Sequence, residues 1–464
     1  MSYPPGPTEA PAVQTARWIA RPIAFLEDCR RRFGPNFSVR FIGFTTPTVM
    51  LSDPQAIREL YRGNHDLPPG RTFALRPIMG ARSILLLEGE EHLARRKLML
   101  PPFHGERMRA YEDTVREVAQ DEIERWPLEQ TFPLHPSMQA ITLEVILRAV
   151  FGVTDPHRRA RLREMLPRLL NDTASGRLQL RVLVARRLGR SDPLADLREL
   201  ARAIDDLLFA EIAERRAAAD GDGHEDILSQ LMAARFEDGS QMADQELRDQ
   251  LMTLLLAGHE TTATALAWTF DLLLRNPAAL SRLTAEVDEG GDDYLRAVIS
   301  ESLRLRPVVP LAGRRLVRDL RTDGLELEAG SDVTPAIWLT HTRGDLYPEP
   351  YAFRPERFLE QPPTTYGWIP FGGGVRRCLG GAFAELEMRV VLAAILRRRD
   401  VQAASRRAER ITRRNVTFSP RKGTRVRVRR RAEPAAGPGG VGGAADAAAG
   451  PDERRPAERQ PVSG

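Results

Sequence analysis

The stretch "FGGGVRRCLG", residues 371–380, decides how this chain is read. It places one of only two cysteines behind three glycines and two arginines. A structural cysteine sits among apolar neighbours. A reactive or metal-bound one needs positive charge and exposed backbone N–H groups, which hold it as thiolate. Arg376 and Arg377 supply that charge, and the glycines leave the backbone bare. The residues that follow, "GGAFAELEMRVVLAAIL", carry apolar side chains at helical spacing. The pattern predicts a long helix starting at Cys378, whose N-terminal N–H groups and macrodipole favour an anion.

Upstream, "QELRDQLMTLLLAGHETTATALAWTFDLLLR", residues 245–275, reads as a helix about 45 Å long. It is apolar nearly all round, which marks a central buried helix. Its middle, "AGHETT", breaks that pattern. Gly258 costs about 1 kcal/mol there relative to Ala, and a buried Glu260 needs a partner. Such a conflict inside a core helix points to a site. The "HE" pair starts a zinc-protease motif, but position 263 is Ala where the motif needs a second His. The triple glycine is no phosphate loop, because no Gly-Lys-Ser/Thr follows. A hydrolytic role for Cys378 finds no nucleophile elbow and no paired His signal.

The remaining segments are mostly helical. "FSVRFIG" and "TPTVMLSD" predict a hairpin near residues 37–52, and Asp53 is the expected N-cap of the helix after it. A Pro/Gly-rich loop covers 66–82. Helical patterning dominates from about Glu90 to Arg296, and another helix runs to about Leu305. Short strands are expected in 307–340, coil in 345–370, and closing strands in "NVTFSPRKGTRVRV". The expected fold class is mainly α with small β-sheets, in a single large helical domain.

Composition bounds the rest. The 464 residues would allow roughly three domains of ~150 residues, but no linker interrupts the chain before about Arg431. One domain over 1–430 is therefore expected, followed by an Ala/Gly/Pro-rich tail, 431–464, expected to be disordered. Net charge is +5, and the cations, nearly all Arg, are spread among abundant Asp and Glu. A solvated surface is the expected reading, with no nucleic-acid partner. Two cysteines fit a reducing compartment. No signal peptide and no run of ~20 apolar residues is found, so neither secretion nor a membrane anchor is expected.

Two weaker motifs complete the pattern. "ESLR" sets Glu301 and Arg304 one helical turn apart, and "FRPERF" carries Arg357. Alone, each is an ordinary surface pair or turn. In order after AGHETT, and before FGGGVRRCLG, they resemble the cytochrome P-450 superfamily, the haem-thiolate monooxygenases, over about residues 30–430. The match to the family's cysteine pattern falls on Phe371, Gly372, Gly374, Arg376, Cys378 and Gly380. Gly381 departs from it, where the family more often has Ala.

The resemblance implies a cytochrome P-450 fold binding haem b, with Cys378 as the axial iron ligand. Gly372, Gly374 and Gly380 would permit the tight turn and close approach, and Phe371 would pack on the sulfur side. His92, Arg96, Arg314 and Arg376 would meet the haem propionates, with Arg315 the rival of Arg314. Glu301, Arg304 and Arg357 would form a structural network. Gly258 would open an oxygen groove in the helix, with Ala257 beside it, Thr261 hydrogen-bonding dioxygen and Glu260 relaying protons. Thr261 also has a plain alternative, a hydrogen bond to the carbonyl of Ala257.

The implied reaction inserts one oxygen atom of O2 into an apolar small molecule, by hydroxylation or epoxidation. NAD(P)H would act only indirectly, through a ferredoxin or flavodoxin and its reductase. A haem-thiolate peroxygenase or isomerase, or a haem-based sensor, are the rivals. A cytoplasmic monomer of secondary metabolism is expected. Loop 66–88, Leu254, Ala257 and residues 308–313 are expected to line the substrate pocket. Arg377 and Lys97 are expected as exposed cations that meet the electron donor.

Overall fold

The computed structural model describes residues 3–63, 65, 76–105, 107–174, 195–218, 225–322, 324–414 and 416–431. At its centre one helix runs unbroken from Asp244 to Leu273. Most of its 30 residues are buried, charged ones included, as the all-round apolar pattern requires. It packs against the helices Leu134–Val145, Asp293–Leu305 and Gly381–Arg398. Their apolar faces join it in one continuous core that includes Leu251, Leu255, Phe270, Val298 and Val391. Residues Met1–Arg430 form one unit.

Among the described residues eleven short strands flank the helices: β1 (Asn36–Val39), β2 (Thr48–Leu51), β3 (Thr131–Pro133), β4 (Arg314–Arg315), β5 (Leu320–Thr322), β6 (Leu325–Leu327), β7 (Asp332–Pro335), β8 (Arg399–Ala403), β9 (Ile411–Arg414), β10 (Thr417–Pro420) and β11 (Arg425–Arg430). The expected hairpin is β1–β2, pairing Asn36 with Leu51 and Val39 with Thr48. It extends into a four-stranded sheet of order β1-β2-β7-β4. Strand β11 lies between β3 and β8, so the chain's closing strand anchors the start of the Leu134–Val145 helix. Asp53 caps its helix as expected, accepting from the Ala56 N–H at 2.9 Å.

The structure corrects some boundaries. The last long helix is Gly381–Arg398, three residues later than Cys378. The cause is local: the Cys378 N–H turns back to the Phe371 carbonyl at 2.9 Å, and Gly380 becomes the N-cap. The helical run from Glu90 is interrupted by β3 and by a π-turn at Ile146–Val150. Residues 66–75 of the Pro/Gly-rich loop and residues 432–464 of the expected tail lie outside the described residues.

Candidate functional site

The cysteine loop is shaped by its glycines and by a tyrosine far away in sequence. Gly372 and Gly374 have φ of 66° and 64°, a left-handed region that favours glycine. A Cβ on Gly373 would lie 2.3 Å from the Tyr61 ring, and one on Gly374 would lie 2.7 Å from the Tyr61 carbonyl oxygen. Tyr61 belongs to the helix Pro54–Arg62 and was not singled out from sequence. Phe371 stacks edge-on against Trp368. A Cβ on Gly381 would make ordinary contact with the Phe371 ring, at 3.4 Å, so the family's usual Ala would fit there.

The Cys378 side chain is surface-accessible, yet burial is the largest influence on its thiol and raises it. A recess walled by protein satisfies both observations. The Gly380 N–H on the sulfur, then Arg96 and Arg377, pull the thiol down by less. This corrects the expectation that the loop alone favours thiolate: desolvation wins among protein groups. A metal cation on the sulfur would reverse the balance.

Around this recess lies a set of arginines. Arg96 is on the helix Gly89–Met99, one turn after the buried His92. Burial lowers the Arg96 guanidinium; Cys378 counters this, while Arg376 and Arg377 add to it. Arg314 is buried, with its guanidinium 5.8 Å over the Tyr61 ring. Burial lowers it most; Tyr61 raises it, and Arg376 lowers it further. Arg376 donates to the carbonyls of Ile84 and Leu87, at 3.3 and 2.6 Å. The neighbours are committed elsewhere. Arg315 pairs with Asp332 at 2.9 Å, Arg95 with Glu246 at 2.8 Å, and Lys97 with Glu237 at 2.8 Å. Neither Arg96 nor Arg314 has a carboxylate partner among the described residues. Such a cluster is unfavourable without an anion. The two carboxylates of a haem fit it, so the residues present suit that group.

The second charged cluster is closed. Glu301 and Arg304 are fully buried on the helix Asp293–Leu305. Arg304 donates through Nε and Nη2 to the two Glu301 oxygens, at 2.7 and 2.8 Å. Its Nη1 reaches the carbonyls of His341 and Pro350, both at 2.7 Å. Arg357 donates to Glu301 at 3.2 Å, and the Arg354 N–H does so at 2.9 Å. His341 completes the cluster. Its Nε2 accepts from the Ile369 N–H at 2.8 Å, so Nδ1 is the donor to the Arg304 carbonyl, at 3.1 Å. Burial pushes His341 down to about 3, which keeps the ring neutral for those two roles.

On the central helix, Ala257 is exposed in the middle of an otherwise buried span, and Leu254 and Thr261 on the same face are partly open. Thr261 Oγ1 donates to the Ala257 carbonyl at 2.6 Å, the plain reading of that residue. Gly258 borders this face, one turn after Leu254 and one before Thr261, and is itself partly open; a Cβ there would meet Ile146 at an ordinary 3.5 Å. The helix passes through Gly258 without a break. Glu260 accepts from Gln139 at 2.6 Å and from Thr264 at 3.4 Å. It lies 3.7 Å from both His135 Nε2 and Arg414 Nη1. Burial raises the Glu260 carboxyl, against Arg414, Gln139 and Thr264. Gln139, His135 and Arg414 were not legible as site residues, since each is more than a hundred positions from Glu260.

A family model for cytochrome P450 matches residues 4–427. Cytochrome P450 135B1 of Mycobacterium tuberculosis is 42% identical over 439 residues, covering 92% of both chains. Cytochrome P450 137 of the same species is 40% identical over 86% of this chain and 84% of its own. Among solved structures, the retinoic acid bound cyanobacterial CYP120A1 is similar at a TM-score of 0.79. It has 25% identity and spans 93% of this chain and all of that one. The chain belongs to the cytochrome P450 family. It is a haem-thiolate monooxygenase, an oxidoreductase with haem b as cofactor, and it draws electrons from NAD(P)H through partner proteins. Among the described residues no helix is long and apolar enough to cross a membrane.

Proposed function

We propose that this cytochrome P450 inserts one oxygen atom of O2 into a C–H or C=C bond of an apolar small molecule. Electrons would come from a ferredoxin or flavodoxin and its reductase. Haem, when bound, supplies the oxygen activation. The chain's own groups have separable tasks. Cys378 holds the iron, and the Gly380 N–H tempers the sulfur's charge. Arg96, Arg314 and Arg376, with His92, hold the propionates. Leu254, Ala257 and residues 308–313 present apolar surface to substrate, which suits a fatty acid, terpenoid or polyketide. We assign the protein to secondary metabolism as a cytoplasmic monomer; its two unpaired cysteines are in line with that compartment.

The observation that carries this reading is the polar run from Glu260 to Arg414, which starts one residue before Thr261. Thr261 lies on the open face beside Ala257. The neighbouring Glu260 touches Gln139, Thr264 and Arg414, and Arg414 is exposed to solvent. Oxygen reduction consumes protons, and this run can hold and pass them. Thr261 must release the Ala257 carbonyl to donate from Oγ1 into the recess. A sensor, an isomerase or a peroxide-driven enzyme has no need of such a route.

Arg377 is exposed and forms no ion pair with described residues, whereas Lys97 is already paired with Glu237. Arg377 is therefore the cation better placed to meet an acidic ferredoxin.

Turnover of a lipid and terpene panel under 18O2, with NADPH, ferredoxin and reductase, tests the proposal. One labelled oxygen per product is expected. Unlabelled product, or equal rates with peroxide alone, would overturn it. Thr261→Ala should fold normally yet lose about tenfold or more in product per NADPH, with peroxide rising, within the range of proton-transfer effects. Unchanged product per NADPH would make Thr261 a core residue only.

A further inference from the structure

The chain's modest net charge hides a sharp imbalance. Residues 397–431 contain fifteen Arg or Lys and only two acids, Asp400 and Glu409, a net +13. The whole chain is +5, so everything outside this segment is net −8. The expectation that cations are evenly spread fails here.

Part of this segment lines an open pocket of about 630 Å³. Arg275, Arg407, Arg410, Arg421, Lys422 and Arg425 line it. Of the two lining carboxylates only Asp271 is in an ion pair, through Oδ1, and its Oδ2 has no partner among the described residues. Asp271 grips Arg275 at 2.8 Å, and Glu409 accepts from the Lys422 backbone N–H at 3.0 Å. Arg275 also holds the carbonyls of Arg406 and Arg407, at 3.1 and 2.7 Å, and so fixes the loop that walls the cavity. The side chains of Arg407, Arg410, Arg421, Lys422 and Arg425 form no ion pair or hydrogen bond with any described residue.

Several arginines elsewhere in this protein are matched. Glu144 takes Arg148 at 2.8 Å, Asp226 takes Arg215 at 2.7 Å, and Arg248 pairs with Asp205 and Asp249. Five unmatched cations facing one hollow raise the self-repulsion of the folded state. An anionic ligand would relieve it. The volume is typical of small-molecule sites, roughly 300–1,000 Å³. The uncharged lining consists of three alanines, two threonines, a serine and a leucine. No aromatic ring is there to stack a base, so recognition must rest on charge and hydroxyls. Guanidinium forks match the oxygens of phosphate groups in pairs.

We propose that this cavity is a second ligand site, which takes a compact polyphosphate group. It lies at the C-terminal end of the central helix, where Asp271 is about 15 Å along the axis from Thr261. The polyphosphate is either free or the phosphate chain of a nucleotide.

The test is calorimetry on the haem-loaded full chain at about 0.15 M salt, where exposed charges are screened beyond ~8 Å. Sodium triphosphate, ATP and adenosine are the probes. Triphosphate should bind with a dissociation constant below about 1 mM. If ATP binds as tightly, the site accepts a nucleotide's phosphate chain; if ATP binds more weakly, it takes free polyphosphate. Adenosine should be silent in both cases. The double variant Arg410→Glu, Arg421→Glu should weaken triphosphate binding by about tenfold or more, and Lys422→Ala by a smaller factor, as lost charge-assisted contacts would. Haem absorbance should stay unchanged and the melting midpoint should not fall, since these side chains are exposed and losing them relieves repulsion. Silence of triphosphate, equal binding by wild type and double variant, or ATP binding without triphosphate binding would each overturn the proposal. Binding of a single-stranded oligonucleotide alone would also overturn it, and would make the face a nucleic-acid surface.

Discussion

Arg304 and Arg96 are both helical arginines, the first fully buried and the second half-buried, and they meet opposite electrostatic surroundings. Around Arg304 the charge is resolved internally. Glu301 takes two of its nitrogens, and loop carbonyls take the rest. Around Arg96 the nearest charged neighbours include two more arginines, and among the described residues no carboxylate pairs with Arg96. Its sequence neighbours Arg95 and Lys97 are paired with Glu246 and Glu237, so acid was available to that helix and was not placed at Arg96. A matched buried charge organises the fold. An unmatched one reserves space for a charge the chain does not supply. Glu387 shows a third resolution. It is buried, one of its oxygens has no partner, and desolvation pushes it up to about 8, so it holds a proton at neutral pH.

Three substitutions separate these situations, in decreasing size of effect. Glu301→Ala strands Arg304 and Arg357 in the interior. Removing one partner of a buried pair costs about 3–5 kcal/mol. Loss of the soluble folded protein, or a collapse of the melting midpoint even without haem, is expected; a midpoint within a degree or two would mean the cluster is not structural.

Glu387→Gln does the opposite, and depends on pH. The folded value of about 8 lies above the ordinary 4.5. The unfolded chain therefore releases this proton first, and stability falls as pH rises from 4.5 towards 8. Gln mimics the protonated acid and removes that penalty. The variant should be more stable by about 3 kcal/mol at pH 7, scaling at 1.36 kcal/mol per unit. It should match wild type near pH 4. Urea unfolding at the two pH values checks this; a gain equal at both would refute the buried-acid account.

Arg314→Ala removes a buried cation that, on the proposed reading, pairs with a haem carboxylate. The fold should be kept. Haem should be lost faster, by about tenfold or more, as one charge-assisted hydrogen bond of about 1.5–3 kcal/mol disappears. Arg315→Ala, which breaks only a half-exposed pair with Asp332, should leave haem retention near wild type. Transfer of haem to an acceptor protein measures both. Equal rates for the two variants would remove the distinction between matched and unmatched arginines.

How much of this was legible in sequence depends on the separation of the partners. The cysteine loop, the central helix and the Glu301–Arg304 spacing are local patterns, and all three stand where the residues indicated. The start of the last helix was misplaced by three residues, because a backbone bond from Cys378 to Phe371 closes the turn first. The role of Gly373 depends on Tyr61, over three hundred positions away, and no period in the sequence carries such a contact. The choice between Arg314 and Arg315 needed the position of Asp332. The thiol's surroundings were misjudged because two adjacent arginines look strongly positive in a string of letters, whereas desolvation depends on everything packed around the sulfur. The whole-chain charge likewise averaged away the basic segment 397–431.

The central claim is that Cys378 and the unmatched arginines were arranged for a group that brings both iron and two carboxylates. The most direct measurement is the carbon-monoxide difference spectrum of the reduced protein, wild type beside Cys378→Ala, with far-UV circular dichroism as the control for folding. The wild type should give the absorption of thiolate-ligated haem, in line with sulfur's preference for soft metal centres. The variant should keep its helical signal and lose that absorption. A thiolate signature that survives in Cys378→Ala would place the iron ligand elsewhere and contradict the account.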